Sequence, residues 1–532
     1  MDKTPSEDLA AEAQIPRNLA RQGGIVAGMT LLSRVSGLLR DIFFSYLLGA
    51  SQFADMFYVA FRIPNFFRRL FAEGAFSQAF VPVLMRYKEQ GVDEVRLFLA
   101  PLSGLFGSAL VLLVALGLLF SDELTYVFAP GFSELQQEST AGLVFIMFPY
   151  IGFISLTAYA GALLNAHDRF AVPAVTPVLL NLSLIGASLV VLAGWTNLPE
   201  VDVLAWGVLA AGVVQLLFQV PFIVEIGALP VPRFNYRHEG VRRVGRLLIP
   251  AVFAGSVGQI NALVNTVLAS MLITGSVSWL YYADRLLELP VGLVAIALGT
   301  VLLPHLSRLA ADEDQVQFKR ALSWGIGLGL FMGLPAAVAL YLLADALVAT
   351  VFMSIAGGAM TPYDVRMAGL GLQMFALALP GFVLVRVLAP AFYAHEDTRS
   401  PFRFAAYSVV ANLLVSLATF SWFGHVGLAW ATAVAAWVNV VGLYTGLTRR
   451  GLYSLQRNVT VPVLRTGLAS FCLGLGLFYL TRDIAWFEME EGLRIVVVGL
   501  VCVGGLIGYM GVQLLFGWRF EEINHYSGAQ AE

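Results

Sequence analysis

Charge is what this sequence has least of. Of 532 residues only 13% are Asp, Glu, Lys or Arg, against roughly 25% in an ordinary soluble domain. Hydrophobic residues make up 58% and the mean hydropathy is +0.78, which excludes a water-soluble fold. Lysine is nearly missing: Lys3, Lys88 and Lys319 follow Asp, Tyr and Phe. A nucleotide-binding P-loop needs Gly before its Lys, so no such loop exists here. The histidines, His167, His238, His305, His395, His425 and His525, are scattered without metal-ligand spacing. Cysteine is limited to Cys472 and Cys502, both inside apolar runs where a thiol behaves as a small hydrophobe, so neither a disulfide nor a metal framework is indicated.

What is present is long apolar runs. They reach the roughly 20 residues that span a bilayer as a helix, not the alternating ~10-residue strands of a barrel. Segments lie near 25–49, 53–85, 97–121, 140–165, 172–194, 202–226, 244–273 and 277–307. Others lie near 320–352, 364–394, 402–423, 425–448, 460–481 and 492–517. The expected fold is all-α and integral to the membrane, with about fourteen spanning helices. Residues 1–22 are polar and lack the apolar core and cleavage site of a signal peptide, so they are expected to be a cytoplasmic tail, an unstructured extension.

Alternate connections should collect arginine if the N-terminus is inside. They do, at Arg17 and Arg21, at Arg86, Lys88 and Arg96, at Arg169, and at Arg233, Arg237, Arg242, Arg243 and Arg246. The same parity holds for Arg308, Lys319 and Arg320, for Arg399 and Arg403, for Arg449, Arg450 and Arg457, and for Arg519. The other connections carry Asp122, Glu123, Glu134, Glu200, Asp202, Glu488, Glu490 and Glu491. Both termini are therefore expected in the cytoplasm. For the cationic stretch from Arg233 to Arg246, anionic lipid headgroups are a sufficient partner and nucleic acid is not needed.

The chain also repeats itself. Tyr58, Arg62, Pro82 and Arg86 are echoed by Tyr281, Arg285, Pro304 and Arg308, about 223 residues later. Ala166-His167-Asp168-Arg169 before Pro173 is echoed by Ala394-His395-Glu396-Asp397 before Pro401, about 228 residues later. An even number of spans separates the copies, so the repeats run parallel, as in two-lobed carriers. The expected organisation is a tail at 1–22, a six-helix lobe at 23–226, a basic linker at 227–243, a second six-helix lobe at 244–449, a terminal pair at 460–517 and a cytoplasmic tail at 518–532.

Ionisable residues inside the spans carry the functional signal. The first span holds Arg34, Arg40 and Asp41; the second holds Asp55, Arg62, Arg68, Arg69 and Glu73; the eighth holds Asp284, Arg285 and Glu288. Each costs about 2.5–3.5 kcal/mol at a helix centre, so four or five cost on the order of 10–15 kcal/mol unless solvated or paired. Helical spacing puts Arg34 and Asp41 on one face, and Asp55, Arg62 and Arg69 on another. One reading is internal salt bridges and snorkelling ends. The other is a cationic cavity whose surplus guanidinium groups grip a phosphate or pyrophosphate; Asp41, Asp55 and Asp284 then position the arginines. Pro64, Gly74 and Pro82 in the second span, with Pro290 and Gly292 in the eighth, serve either packing kinks or hinges. A drug exporter would need acids to attract a cation, and a membrane transferase would need carboxylate clusters for metal; the arginine excess fits neither.

The run Ser33-Arg34-Val35-Ser36-Gly37-Leu38-Leu39-Arg40-Asp41, then Ala54-Asp55, Pro64-Asn65 and Arg68-Arg69-Leu70-Phe71-Ala72-Glu73-Gly74-Ala75-Phe76 resembles the signature of the lipid II flippase family, MurJ/MviN. Ser276-Val277-Ser278-Trp279-Leu280-Tyr281-Tyr282-Ala283-Asp284-Arg285 and Val387-Leu388-Ala389-Pro390 fit the same family. The resemblance implies the multidrug/oligosaccharidyl-lipid/polysaccharide exporter fold and a bacterial inner-membrane carrier that moves lipid II, the undecaprenyl-pyrophosphate-linked peptidoglycan precursor, from the cytoplasmic to the periplasmic leaflet. It implies cargo-binding arginines at Arg34, Arg40, Arg68, Arg69 and Arg285, functional acids at Asp55 and Glu73, and gate positions at Asn65 and Ser278. Arg62 joins the binding set from its place in the span. Some relatives hold a sodium ion with an acid in the seventh span. Here that span offers Gln259, Asn261 and Asn265, with Asn412 in the eleventh, so Asn261 and Asn412 are the weak metal candidates and membrane potential is an alternative drive. No cofactor is expected, the chain is read as a monomer among membrane lipids, and the alternative function is export of another polyprenyl-linked glycan or small-molecule antiport on the same fold.

A reporter fused after Arg243 should read cytoplasmic and one fused after Glu134 periplasmic. The same side for both would break the span count.

Overall fold

The computed structural model describes residues 5–71, 75–299, 302–354, 357–454 and 457–518. Every regular element among them is a helix. Apolar side chains leave the backbone only itself to hydrogen-bond with in lipid, and a helix satisfies it within one segment.

Two compact units form, Met1–Phe44 with Met56–Gln259, and Ser45–Asp55 with Ile260–Glu532. The first contains α1 (Pro5–Leu48) up to Phe44, most of α2 (Gln52–Phe71), α3 (Ala75–Gln90), α4 (Val92–Leu119), α5 (Ser121–Phe128), α6 (Glu134–Met147), α7 (Tyr150–Asn165), α8 (Ala171–Leu192) and α9 (Glu200–Glu225). α10 (Glu239–Ser270) starts in the first unit and ends in the second. The second continues with α11 (Ser276–Gly299), α12 (Leu302–Ala311), α13 (Gln315–Leu342), α14 (Ala344–Phe352), α15 (Pro362–Tyr393), α16 (Arg399–Phe423), α17 (His425–Arg449), α18 (Arg457–Thr481) and α19 (Glu491–Leu515). The linker 227–243 thus lies within the first unit. It is fastened there by its backbone, Arg233 N donating to the Ala100 carbonyl of α4 at 2.9 Å.

Among the described residues ten helices are long and apolar enough to cross a membrane: α4, α6 with α7, α8, α9, α13, α15, α16, α17, α18 from Thr460, and α19. The remaining segments of the sequence count fall on α1, α2 with α3, α10, and α11 with α12. Three of those four hold the ionisable residues, which is why they read as less apolar. α1 also differs from expectation at its start. It is helical from Pro5 instead of unstructured, since Ala, Glu, Gln, Leu and Arg there are strong helix formers.

The same packing recurs in each unit. In the first, α4 lies on α7, and α7 and α8 both pack on α9; in the second, α13 lies on α15, and α15 and α16 both pack on α17. The cores differ in composition. Phe76, Phe80, Phe98 and Tyr159 stack in the first, whereas Leu298, Leu322, Val383 and Val387 fill the second.

The repeated turns agree down to single bonds. Asp168 and Glu396 both take positive φ, 61° and 58°. His167 Nδ1 meets the Leu163 carbonyl at 2.9 Å and His395 Nδ1 meets the Ala391 carbonyl at 3.0 Å. A salt bridge then ties each turn to the C-terminal end of α9 or α17, with the signs exchanged. Arg169 reaches Glu225 at 2.5 Å in the first unit, and Asp397 receives Arg450 at 2.5 Å in the second.

The second pair is the better built, because Asp397 Oδ1 also accepts from the Arg399 and Ser400 backbone N–H groups at 3.0 Å each, while Arg450 donates to Ser400 Oγ at 2.8 Å and covers Phe392. Burial pushes the Asp397 carboxyl up, but the Ser400 and Arg450 hydrogen bonds and the Arg450 charge outweigh it and bring the group down to about 2. A carboxylate with a depressed pKa stabilises the fold above its unfolded value and loses that contribution as pH falls through the folded one. Asp397→Asn should therefore cost on the order of 1–2 kcal/mol at pH 7, after discounting for the half-exposed Arg450, read as a lower melting temperature of the detergent-solubilised protein. The gap from wild type should close between about pH 4 and pH 2; a gap independent of pH would mean the carboxylate charge is not what stabilises.

Candidate functional site

α1 brings Arg40 and Asp41 into the interior, 5% and 1% exposed. Arg40 Nε and Nη2 donate to Asp41 Oδ1 at 2.9 and 2.7 Å, Nη1 donates to Asn181 Oδ1 of α8 at 3.0 Å, and the guanidinium lies over the Phe44 ring at 5.5 Å. Asn181 in turn donates to the Ser33 carbonyl at 3.0 Å and to Ser36 Oγ at 2.9 Å. One amide therefore holds α1 by three groups. The sequence put Asp41 on the face of Arg34; in the structure one oxygen of its carboxylate receives two N–H groups of the adjacent Arg40. Asn181 was missed, and its signal was a lone amide in an otherwise apolar helix. Arg34 is half-buried on the same helix.

On α2, Arg62 and Arg68 are half-buried and Arg69 is exposed. Asn65, expected as a gate, donates to the Phe61 carbonyl at 2.8 Å and accepts from Arg68 Nε at 3.2 Å, so it orients an arginine. Glu73 and Gly74 lie outside the described residues.

Asp55, in the first turn of α2, belongs to the second unit. Its carboxylate accepts from Gly275 N at 2.6 Å, from Ser278 N at 2.9 Å and from Ser278 Oγ at 2.6 Å. It is an N-cap supplied from 220 residues away, and it meets the partial positive charge of the α11 N-terminus. Helical spacing grouped Asp55 with Arg62 and Arg69 and made it a partner for them. The unsatisfied N–H groups at the start of α11 take it instead. Asp55 and Ser278 each stand three residues before the repeated tyrosine, Tyr58 and Tyr281, so the acid and its hydroxyl partner occupy equivalent positions of the two copies.

Two glycines allow this approach. A Cβ on Gly49 would sit 2.4 Å from the Ala359 carbonyl oxygen, and one on Gly275 would sit 2.6 Å from the Trp279 ring; both adopt positive φ. Tyr282 OH donates to the Gly49 carbonyl at 2.7 Å, and Ala359 N donates to the Tyr46 carbonyl at 2.9 Å. Behind Ser278, Trp279 Nε1 donates to Asp364 Oδ1 at 3.0 Å, and Asp364 completes a capping box with Thr361.

One turn further along α11, Arg285 and Asp284 are half-buried. Arg285 Nη1 donates to Glu288 Oε2 at 2.9 Å, and its guanidinium covers the Tyr281 ring at 4.8 Å. Its side chain keeps 28% of its surface open. The stacking and the ion pair orient the plane of the guanidinium, whose planar fork is the shape that meets a flat anion. Of the weak metal candidates, Asn412 is buried and donates to Asn265 Oδ1 at 2.9 Å, and Asn265 donates to Thr432 Oγ1 at 3.2 Å. Asn261 is half-buried. This chain of groups offers oxygens without charge.

The family profile described as "Lipid II flippase MurJ" matches residues 44–496. A protein of Vibrio cholerae described as a probable lipid II flippase MurJ is 40% identical over 529 residues, covering 96% of this chain and 99% of that one. The lipid II flippase MurJ of Burkholderia cenocepacia is 40% identical over 443 residues, covering 82% and 85%. Among solved structures, a lipid II flippase MurJ in an inward closed conformation superposes with a TM-score of 0.78 at 25% identity, covering 92% of this chain and 98% of that one. An inward-facing MATE-family multidrug transporter of the MOP superfamily shares the fold at 12% identity with a TM-score of 0.66. The chain belongs to the MurJ family of lipid II flippases, multi-pass transporters of the bacterial inner membrane and not enzymes.

Proposed function

We propose that this protein carries lipid II from the cytoplasmic to the periplasmic leaflet by alternating access, with its span arginines binding the pyrophosphate. The observation that supports the reading is Arg285, a guanidinium half-buried within an apolar helix, oriented by Glu288 and Tyr281, with 28% of its side chain exposed. A guanidinium retained inside an apolar helix costs several kcal/mol and is kept where a charged ligand uses it. Arg34, Arg62, Arg68 and Arg69 supply further cation, and Asn65 aims Arg68. Arg40 is already satisfied by Asp41 and Asn181, so we assign it to positioning α1 and not to direct contact. Glu288 tunes Arg285, and Asp284 beside it adds a local negative charge. The drive is a membrane potential or a monovalent ion, the Asn412–Asn265–Thr432 oxygens being neutral. The carrier works as a single chain, with both termini in the cytoplasm by the arginine parity of its connections.

Arg285→Ala should abolish lipid II translocation in a leaflet assay after depletion of the native copy, while abundance in the membrane stays near wild type. Arg285→Lys should recover only part, since an ammonium lacks the bidentate fork. Full activity of the alanine variant, or rescue by Arg285→Gln together with Asp284→Asn, would make Arg285 an internal counter-ion.

Asp55 is the second test. Exchange for Asn removes the charge that faces the α11 N-terminus and should cost about 0.5–2 kcal/mol of that cap. If the cap holds one state of the cycle, Asp55→Asn should lower the translocation rate several-fold at unchanged abundance. Wild-type rates in a stably inserted variant would remove the cap from the cycle.

A further inference from the structure

The connection between α9 and α10 has a composition that the carrier reading leaves unused. Its non-helical part reads Leu229-Pro230-Val231-Pro232-Arg233-Phe234-Asn235-Tyr236-Arg237-His238, and its large apolar side chains point away from the protein: Phe234 is 85% exposed, Val231 70% and Tyr236 64%. An aromatic this bare is costly in water. Arg237 covers the Tyr236 ring at 5.6 Å, and Arg233, Arg237, Arg242, Arg243 and Arg246 are all exposed. Glu239 is the one acid between residues 227 and 246.

The depth of this segment follows from α4. Polar residues at the start of that helix end at Arg96, after which the sequence is apolar to Leu119 except for Ser103 and Ser108. Arg233 is fixed against Ala100 by its N–H at 2.9 Å. Its carbonyl lies against Gly104, where a Cβ would come within 2.2 Å of the oxygen. With a rise of 1.5 Å per residue, Ala100 and Gly104 stand about 6 and about 12 Å further along the helix than Arg96. The linker backbone is thus seated about 6–12 Å along α4 past its last charge, a span that overlaps the roughly 5–10 Å by which interfacial segments bury their apolar side. Gly104 is what permits the seat. Opposite charges nearby are Glu89, Asp93 and Glu94, on the end of α3 and the first turn of α4, beside Arg86, Lys88 and Arg96.

We propose that residues 229–246 form an interfacial anchor that inserts Phe234 and Tyr236 among the acyl chains of the cytoplasmic leaflet and binds anionic phospholipid headgroups through Arg237, Arg242, Arg243 and Arg246. Aromatic rings prefer the interface, and each exposed arginine near an anionic surface adds about 1 kcal/mol of attraction. Long guanidinium side chains reach back to the phosphates while the backbone stays deeper. The proposal rests on the membrane-carrier reading with this connection on the cytoplasmic side.

The test uses the full chain with Cys472→Ser and Cys502→Ser, a nitroxide on Phe234→Cys, and a control nitroxide on Glu313→Cys, in vesicles of phosphatidylcholine with or without phosphatidylglycerol. Collision of each nitroxide with oxygen and with a water-soluble nickel chelate reads its depth. Residue 234 should favour oxygen, and residue 313 should favour nickel. Phosphatidylglycerol should lower the nickel accessibility of residue 234 at least twofold, and Arg237→Gln with Arg242→Gln, Arg243→Gln and Arg246→Gln should remove that dependence. Nickel access at residue 234 equal to the control overturns the anchor, as does a phosphatidylglycerol effect that survives the four substitutions. Lipid II translocation measured in the same vesicles tests the carrier reading separately.

Discussion

A charge inside an apolar helix has to be neutralised, bonded or wetted, because its transfer from water costs several kcal/mol and the hydrocarbon offers nothing in return. The arrangement of α1, α2 and α11 follows from that constraint. Arg40 is closed off by a carboxylate and an amide, and this closure fixes α1 against α8. Asp55 is satisfied by the first N–H groups of α11, which fixes the α1–α2 corner on the second unit. Arg285 meets Glu288 and the face of Tyr281 while staying partly exposed. The first two arrangements spend a charge on architecture. The third keeps 28% of its side chain at the surface, where Arg40 is enclosed.

The internal repeat shows which parts of the chain are scaffold. Helix pairing, the turn with its left-handed acidic residue and the histidine that closes it recur in both units. Arg62 and Arg86 recur as Arg285 and Arg308, but several other polar and charged positions do not. The turn and helix-end partners exchange sign between Arg169–Glu225 and Asp397–Arg450, Asp55 faces its own repeat position as Ser278, and Asn65 stands where the second copy has Glu288. A salt bridge works with either polarity, so a duplicated scaffold tolerates the exchange. An N-terminal cap needs an acceptor on one side and donors on the other, so Asp55 and Ser278 cannot be the same residue. The similarity to multidrug transporters at 12% identity fits the same division, since fold is carried by packing and function by individual side chains.

Much of this was legible in the sequence. Run length and hydropathy dictated a helical membrane protein, and the block from Arg68 to Phe76 pointed to the family. Those properties depend on composition and local spacing, and lipid leaves the backbone one local solution, the helix. The partners of the charges were another matter. Helical spacing only set Asp41 on one face with Arg34, and Asp55 on another with Arg62 and Arg69. The fold gave Asp41 to Arg40 with Asn181, 141 residues away, and gave Asp55 to a helix start 220 residues away. It also placed Arg233 against Gly104 of α4, where the sequence had drawn a boundary between lobes. A carboxylate chooses among all donors within reach in space, and chain separation carries no information about which those are. The sequence by itself determined that charge would be scarce and that arginines and acids would lie inside the spans; only the tertiary structure decided which groups meet Arg40 and Asp55, because those contacts depend on distances of about 3 Å between helices far apart in the chain.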